Sequence, residues 1–225
     1  MRATFPLMRV STKSVPQSLS RVTRWSLLTW LCCLGQGGVL IVVAAALIWP
    51  APVKAGQLPG ILPITGQQSD LILSHWPSAL LIKRTVAQDH HLPLWNPYYG
   101  GGRPLAGDPL AALYYPFTQL VNVFPVREYY LILLWGHLVL AGVGMLLLAR
   151  RAAGLAPLPA LVAAIAYMAT PRLIGHLGAG HVTLVQTAAW FPWIALGCWA
   201  TVRAPRRGAV PFGACLGLML LAGHP

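Results

Sequence analysis

The chain has 225 residues, of which 56% are hydrophobic and only 9% are charged. Soluble domains average about 25% charged residues, so this composition excludes an ordinary soluble protein and indicates an integral membrane protein. The formal net charge of +12 would suit a nucleic acid partner, but the 16 Lys and Arg residues are spread over the ends of apolar segments. Because the sequence contains no basic helix or RNA-binding motif, we expect no nucleic acid partner.

Five apolar segments predict membrane-spanning helices. The expected fold class is therefore an all-α integral membrane protein with about five transmembrane helices and a large exported first loop that carries short amphipathic helices. The predicted division is a basic cytoplasmic amino terminus (1–25), a first span (26–49), the exported loop (50–128) and four further spans (129–225). The predicted spans are 26–49, 129–149, 158–170, 182–202 and 209–222.

Basic residues mark the ends of three predicted spans. They lie before the first span, after the second and after the fourth, and the positive-inside rule makes these places cytoplasmic. The loop 50–128 and the short turn 171–181 are then exported and can meet at one membrane face. A cleaved signal peptide is the alternative for the amino terminus, but the apolar run is longer than a typical h-region, which favours an uncleaved anchor. The basic residues are Arg2, Arg9, Lys13, Arg21, Arg24, Arg150, Arg151, Arg203, Arg206 and Arg207.

All four acidic residues lie in the loop 50–128: Asp70, Asp89, Asp108 and Glu128. An acid at the centre of a bilayer costs about 3 kcal/mol on insertion scales, so their confinement to one segment between spans marks that segment as the chemically capable part. The four cysteines all fall within apolar runs, so the sequence predicts neither a disulfide in the loop nor a zinc motif. We therefore look for function in this loop.

The residue pattern predicts local structure in three parts of the loop. An amphipathic helix is expected over 76–88, with Pro77 in its first turn. Prolines and glycines alternate with aromatic residues over 92–109, which predicts a series of fixed turns, and a second short helix is expected over 110–123. The residues predicted to share the apolar side of the first helix are Trp76, Ala79, Leu80, Val86 and Ala87, with Ser78, Arg84, Thr85 and Gln88 facing away.

The loop contains the motifs DLILSHWP (70–77), LPLWNP (92–97), GGRP (101–104), DP (108–109) and YP (115–116). Together with ARR (149–151) and GHP (223–225), these motifs resemble the amino-terminal portion of bacterial YfhO-like membrane proteins, a family placed in the GT-C class of glycosyltransferases. The block formed by LPLWNP and the following GG.P is the most specific part. Members of that family are longer, so we expect this sequence to be part of a longer protein with a partial GT-C type fold.

The resemblance implies transfer of a sugar from a polyprenyl-phosphate donor to a glycan or lipid acceptor, with inversion, at the outer face of the bacterial plasma membrane. Asp70 matches the acid that GT-C enzymes place early in this loop and is the candidate catalytic base, with a helix N-cap or a solvated acid as its alternative. His75 is a candidate to orient Asp70, or an interfacial histidine. Asp108 is either a second functional acid or, as the following proline favours, a turn-forming residue.

A donor phosphate needs cationic partners as its charge develops. Arg103, in the glycine-rich turn, is the main candidate, with Arg172, His176 and His181 from the second exported turn; contact with a lipid headgroup is the alternative for each. No cofactor is firmly predicted. A divalent metal stays open as an alternative, although the offset between His176 and His181 does not place both on one helical face and the glycines around them predict a loop.

A second function class is compatible with the same residues. In it, the protein is a non-catalytic, multi-pass membrane component of envelope glycan or lipid transport or assembly, and the ordered loop is a docking surface. Its acids would then be individually dispensable. Activity after replacement of Asp70 separates the two classes.

Overall fold

The computed structural model of the protein describes residues 27–49 and 69–224, with side chains described from residue 34 onward. Helical conformations hold 76% of the described residues, which confirms the predicted all-α class. The predicted basic amino terminus and residues 50–68, the first part of the predicted exported loop, lie outside the described residues.

The α-helices of the described ranges are connected by short turns after the loop. Three of them begin at a proline, which suits the first turn of a helix because its missing N–H has no intrahelical partner there. The helices are α1 (Leu27–Leu47), α2 (Trp76–Asp89), α3 (Val126–Arg151), α4 (Pro157–Met168), α5 (Pro171–Ala179), α6 (Val182–Arg203) and α7 (Pro205–Leu221).

Within residues 27–49 and 69–224, three helical segments are long and apolar enough to cross a membrane: α3, the segment Pro157–Ala179 formed by α4 and α5, and α6. The apolar part of α1 in the described residues, Leu34–Leu47, is shorter. The predicted third span ended at residue 170 and was followed by a turn over 171–181. That turn prediction is wrong, because Pro171 opens a second helix, α5, that extends the apolar segment.

The helix ends place several segments at one end of the bundle, which we call the loop end and define by Val126, His181 and Gly223. α3 starts there directly after the loop, and α6 starts there after His181. Gly223, just beyond α7, packs so closely against Pro109 of the loop that a Cβ atom would not fit. The arginine-rich ends of α3 (26 residues) and α6 (22 residues) are therefore about 39 and 33 Å away, at 1.5 Å per residue.

The first part of the loop is a π-helical turn, Leu71–His75, that leads directly into α2. α2 occupies the predicted range, with Pro77 in its first turn. The prediction that Ser78 faces solvent is wrong: Ser78 is buried, and its hydroxyl donates a hydrogen bond of 2.9 Å to the Ser74 carbonyl. That bond satisfies the hydroxyl locally, which lets a polar residue share the buried side of α2.

The second part of the loop is a short hairpin followed by two 3₁₀-helices. Strand β1 (Trp95–Asn96) pairs antiparallel with β2 (Arg103–Pro104), in the register Trp95 to Pro104 and Asn96 to Arg103. The 3₁₀-helices are Pro109–Ala111 and Pro116–Asn122. The single helix predicted over 110–123 is wrong, because Ala112 adopts a left-handed conformation (φ 43°) between them.

Candidate functional site

Ser69 fastens the start of the ordered loop to the end of α5. Its buried hydroxyl donates to the Ala179 carbonyl at 3.1 Å and accepts from the Leu71 backbone N–H at 3.3 Å. Asp70 therefore lies beside the junction between α5 and α6, at the loop end of the bundle. The two segments that the sequence predicted to meet at one membrane face are thus in contact.

The Asp70 carboxylate faces His181. Its Oδ2 lies 3.2 Å from His181 Nε2, and both side chains are partly exposed, 46% for Asp70 and 38% for His181. Asp70 precedes the π-helical turn but its side chain makes no capping hydrogen bond, so the N-cap alternative does not describe it. Single π-helical turns are frequent at functional sites.

His176 completes a chain of three side chains. Its Nδ1 lies 2.8 Å from Nδ1 of His181, and the two rings are in contact. If Nδ1 of His176 carries a proton, it donates to Nδ1 of His181, and the proton of His181 then lies on Nε2, the atom that faces Asp70. This order leaves Oδ1 of Asp70 without a hydrogen bond from residues 27–49 or 69–224, so that oxygen can accept a proton from a substrate.

The conformation of Gly180 explains why the spacing of His176 and His181 in the sequence did not predict their contact. Its left-handed conformation (φ 80°) ends α5 and reverses the chain, and the His181 backbone N–H donates to the His176 carbonyl at 3.0 Å. Residues five apart do not share a helical face, but a left-handed helix terminus places them side by side. The predicted loop around the two histidines is therefore wrong, since His176 belongs to α5.

We expect Gly180→Ala to destabilise the protein and to displace Asp70. A Cβ at Gly180 would collide with the Ser69 hydroxyl and lie 3.0 Å from the Leu71 backbone nitrogen. The left-handed conformation adds about 1–2 kcal/mol for a residue with a side chain. The measurement is the unfolding free energy of the purified protein in mixed micelles, with an expected loss of about 2 kcal/mol.

Gly175→Ala is the matched control, because Gly175 lies inside α5 with no atom near its Cβ position. Alanine there should be neutral or stabilise α5 by up to about 1 kcal/mol. Equal losses in both variants would contradict a special role for the Gly180 turn.

Arg103 and Asp108 form an ion pair with each other within the loop. Arg103 Nη2 lies 2.6 Å from Asp108 Oδ2, and the guanidinium stacks on the Tyr99 ring at 4.2 Å from its centroid. Asp108 Oδ1 also accepts from the Leu110 backbone N–H at 3.0 Å, which makes Asp108 the cap of the first 3₁₀-helix. The turn-forming alternative for Asp108 is thus the one its contacts match, and Arg103 already has an anionic partner.

His75 is buried against the same part of the loop. Its Nδ1 lies 2.9 Å from the Leu110 carbonyl, while its own backbone carbonyl accepts from the Tyr130 hydroxyl at 2.7 Å. Burial lowers the pKa of His75 despite that hydrogen bond and the nearby carboxylates of Asp70 and Asp108. His75 is therefore a neutral residue that connects the π-helical turn to Leu110 and Tyr130, and it makes no hydrogen bond to Asp70.

Two further basic side chains lie near His176. Arg172 lies one turn earlier in α5, and both Arg172 and His224 are within electrostatic range of His176. The sequence analysis noted the terminal GHP motif but did not assign His224 to the site. Its position depends on the packing of Gly223 against Pro109, which no local pattern could reveal. In the described part of the chain, no group of three or more His, Cys, Asp or Glu residues is placed to hold a metal ion.

A buried polar network that the sequence analysis missed connects the loop to α3 and α6. The Trp190 indole N–H donates to the Tyr115 hydroxyl at 2.9 Å, and that hydroxyl lies 2.6 Å from His137 Nε2. His137 Nδ1 lies 2.6 Å from the Leu133 carbonyl, so Nδ1 carries the proton and Tyr115 donates to Nε2. Burial raises the pKa of Tyr115 to about 12, which keeps its hydroxyl neutral.

Comparison of the chain with protein-family models, with curated proteins and with solved structures gives no match. The resemblance noted from the sequence motifs stays a prediction. A functional interpretation therefore depends on the chemistry of the site.

Proposed function

We propose that this chain belongs to a membrane glycosyltransferase of the GT-C class, which moves a sugar from a polyprenyl-phosphate donor to a glycan or lipid acceptor of the cell envelope. The observation that supports this most is the partly exposed Asp70 carboxylate, held by His181 at the loop end of an apolar helix bundle. An enzyme that uses a lipid-linked donor needs a polar reaction centre at such a bilayer surface.

Asp70 acts as the general base in the proposed reaction. The acceptor hydroxyl attacks the anomeric carbon, its proton passes to Asp70 Oδ1, and the bond from that carbon to the donor phosphate breaks with the electron pair leaving on the phosphate. Attack from the side opposite the phosphate gives inversion. The close contact of His181 Nε2 with Oδ2 at 3.2 Å fixes the orientation of the carboxylate, so that Oδ1 is presented to the acceptor.

Arg172 and the histidines beside it are the proposed partners of the leaving phosphate. Arg172 is exposed and makes no hydrogen bond or ion pair with any residue in the described ranges, whereas Arg103 is already paired with Asp108. An arginine without an anionic partner can give its donors to a phosphate without first breaking an ion pair. The geometry thus favours Arg172, with His176 and His224, over the Arg103 that the sequence placed first.

The proposed topology has about five membrane passages in the bacterial plasma membrane, with a cytoplasmic amino terminus. The arginines that end α3 and α6 lie about 33–39 Å from the loop end, so the positive-inside rule assigns the loop end to the exported face. This orientation places Asp70 where envelope acceptors are found.

We expect Tyr98→Cys to react with a membrane-impermeant maleimide in intact cells, whereas Ala204→Cys should react only after permeabilisation. Tyr98 is 84% exposed at the loop end, and Ala204 is exposed at the opposite end, between α6 and α7. The native cysteines are first replaced by serine, and the unsubstituted background is the control. The reverse labelling pattern would place the loop in the cytoplasm and remove access to an exported acceptor.

Sugar transfer itself tests the proposed function. Membranes that contain the intact protein should incorporate labelled sugar from a polyprenyl-phosphate donor into an envelope acceptor, and the product linkage should have the anomeric configuration opposite to the donor. Membranes without the protein are the control. No incorporation above that control with any polyprenyl-phosphate sugar would favour the non-catalytic alternative.

A further inference from the structure

A groove of about 1180 Å³ runs between α2 and the segment that leads into β1. Its walls are mainly apolar and include Leu80, Leu81, Leu92 and Trp95. The exposed side of α2 forms one wall of the groove, while Ala79 and Ile82 on the other side of the helix pack into the core. A mainly apolar groove of this volume on a membrane protein suits the hydrocarbon tails of a lipid better than a polar ligand.

The groove lies at the level of the lipid headgroups. Lys83 of α2 donates to the carbonyls of Val121 and Phe124 at 2.9 and 2.8 Å, directly before the first turn of α3. Because α3 is a candidate membrane span that follows the loop, its first turn is expected at the bilayer interface. Arg84, next to Lys83, therefore lies near the depth of a lipid phosphate.

Two opposite charges face this groove. Arg84 and Asp89 both line it, about 7.5 Å apart along the helix axis, and both are exposed. Within the part of the chain that the structure describes, neither side chain has a hydrogen-bond or ion-pair partner. A headgroup that carries a phosphate and a primary ammonium would match both charges, whereas a purely anionic headgroup would be repelled by Asp89.

We propose that this groove binds a membrane phospholipid with a phosphoethanolamine headgroup, its phosphate on Arg84, its ammonium on Asp89 and its tails along the apolar wall. The site is separate from the proposed transfer reaction. Arg84 is 14 positions beyond Asp70, about 20 Å along the helix, and a donor phosphate has to lie next to the reacting carbon at Asp70. The bound lipid would hold α2 at the bilayer surface.

Native mass spectrometry of the purified intact protein tests this, with dioleoyl phosphatidylethanolamine, phosphatidylcholine and phosphatidylglycerol as probes. We expect phosphatidylethanolamine to be retained about tenfold better than the other two, since only its headgroup has a positively charged N–H donor for the Asp89 carboxylate. Arg84→Gln should lower retention of phosphatidylethanolamine about tenfold, and Arg84→Lys should keep it within about threefold. Asp89→Lys should shift the preference to phosphatidylglycerol.

Glu128→Gln is the matched control outside the groove, because Glu128 pairs with Arg127 at 3.5 Å. Its lipid preference should be unchanged, and so should that of Asp70→Asn, even where transfer activity is lost. Equal retention of the three lipids, or a preference that survives Asp89→Lys, would overturn the proposal. Displacement of phosphatidylethanolamine by polyprenyl phosphate would also overturn it, because the groove would then hold the donor.

Discussion

Asp70→Asn is expected to lower sugar transfer by about a thousandfold, which is within the usual contribution of a general base. Asparagine has nearly the same shape, and its amide oxygen can still face His181 Nε2, which lies 3.2 Å from Asp70 Oδ2. The variant therefore removes the proton acceptor while it keeps the arrangement of Asp70, His181 and His176. The measurement is the initial rate of incorporation of labelled sugar from a polyprenyl-phosphate donor.

Glu128→Gln is the control for this experiment, since it neutralises another of the four carboxylates in the segment 50–128. Glu128 lies in the first turn of α3 and forms its ion pair with the neighbouring Arg127. Its transfer rate should stay within about twofold of the unsubstituted protein, because surface ion pairs contribute little. An active Asp70→Asn variant would remove Asp70 from the mechanism and leave the loop as a docking surface.

Tyr115→Phe is expected to lower the unfolding free energy by about 3 kcal/mol. The change deletes one hydroxyl but leaves two buried groups without their partner, the Trp190 indole N–H and His137 Nε2. Each unsatisfied buried group costs roughly 1–3 kcal/mol. Thermal unfolding of the purified protein in detergent should show the loss as a lower midpoint temperature.

Tyr114→Phe is a closely matched control for that variant. Tyr114 is the preceding residue, is 52% exposed and makes no hydrogen bond with its side chain among the described residues. Loss of the Tyr114 hydroxyl should change the unfolding free energy by less than about 0.5 kcal/mol. Similar losses in the two variants would show that the network from Trp190 to His137 does not hold the loop to the bundle.

Local sequence features were sufficient for α2 and for the membrane character of the chain. The range of α2 and the position of Pro77 follow from an amphipathic pattern and from the preference of proline for a first helical turn. Membrane character follows from the length of the apolar segments, because a helix that crosses the bilayer must satisfy its own backbone hydrogen bonds inside the hydrocarbon. The confinement of all four acids to one segment likewise identified the region that contains Asp70.

Failures occurred where a polar residue found a local partner or where a left-handed residue broke a helix. Ser78 was placed toward solvent because a hydroxyl is polar, but its bond to the Ser74 carbonyl allows burial. Ala112 interrupts the helix expected over 110–123, and it is not a glycine that would signal the break. The periodicity of hydrophobic residues alone predicts neither the burial of Ser78 nor the break at Ala112.

The amino-acid sequence by itself determined that this is a helical membrane protein with its carboxylates in one loop, because hydropathy and charge act locally along the chain. Only the tertiary structure decided which groups meet. The Ser69 hydroxyl bonds to the Ala179 carbonyl, 110 positions away in the sequence. The left-handed turn at Gly180 places His181 beside His176, and Arg103 forms an ion pair with Asp108. Such juxtapositions depend on how whole helices pack, and the free energy of that packing is shared among residues far apart in sequence.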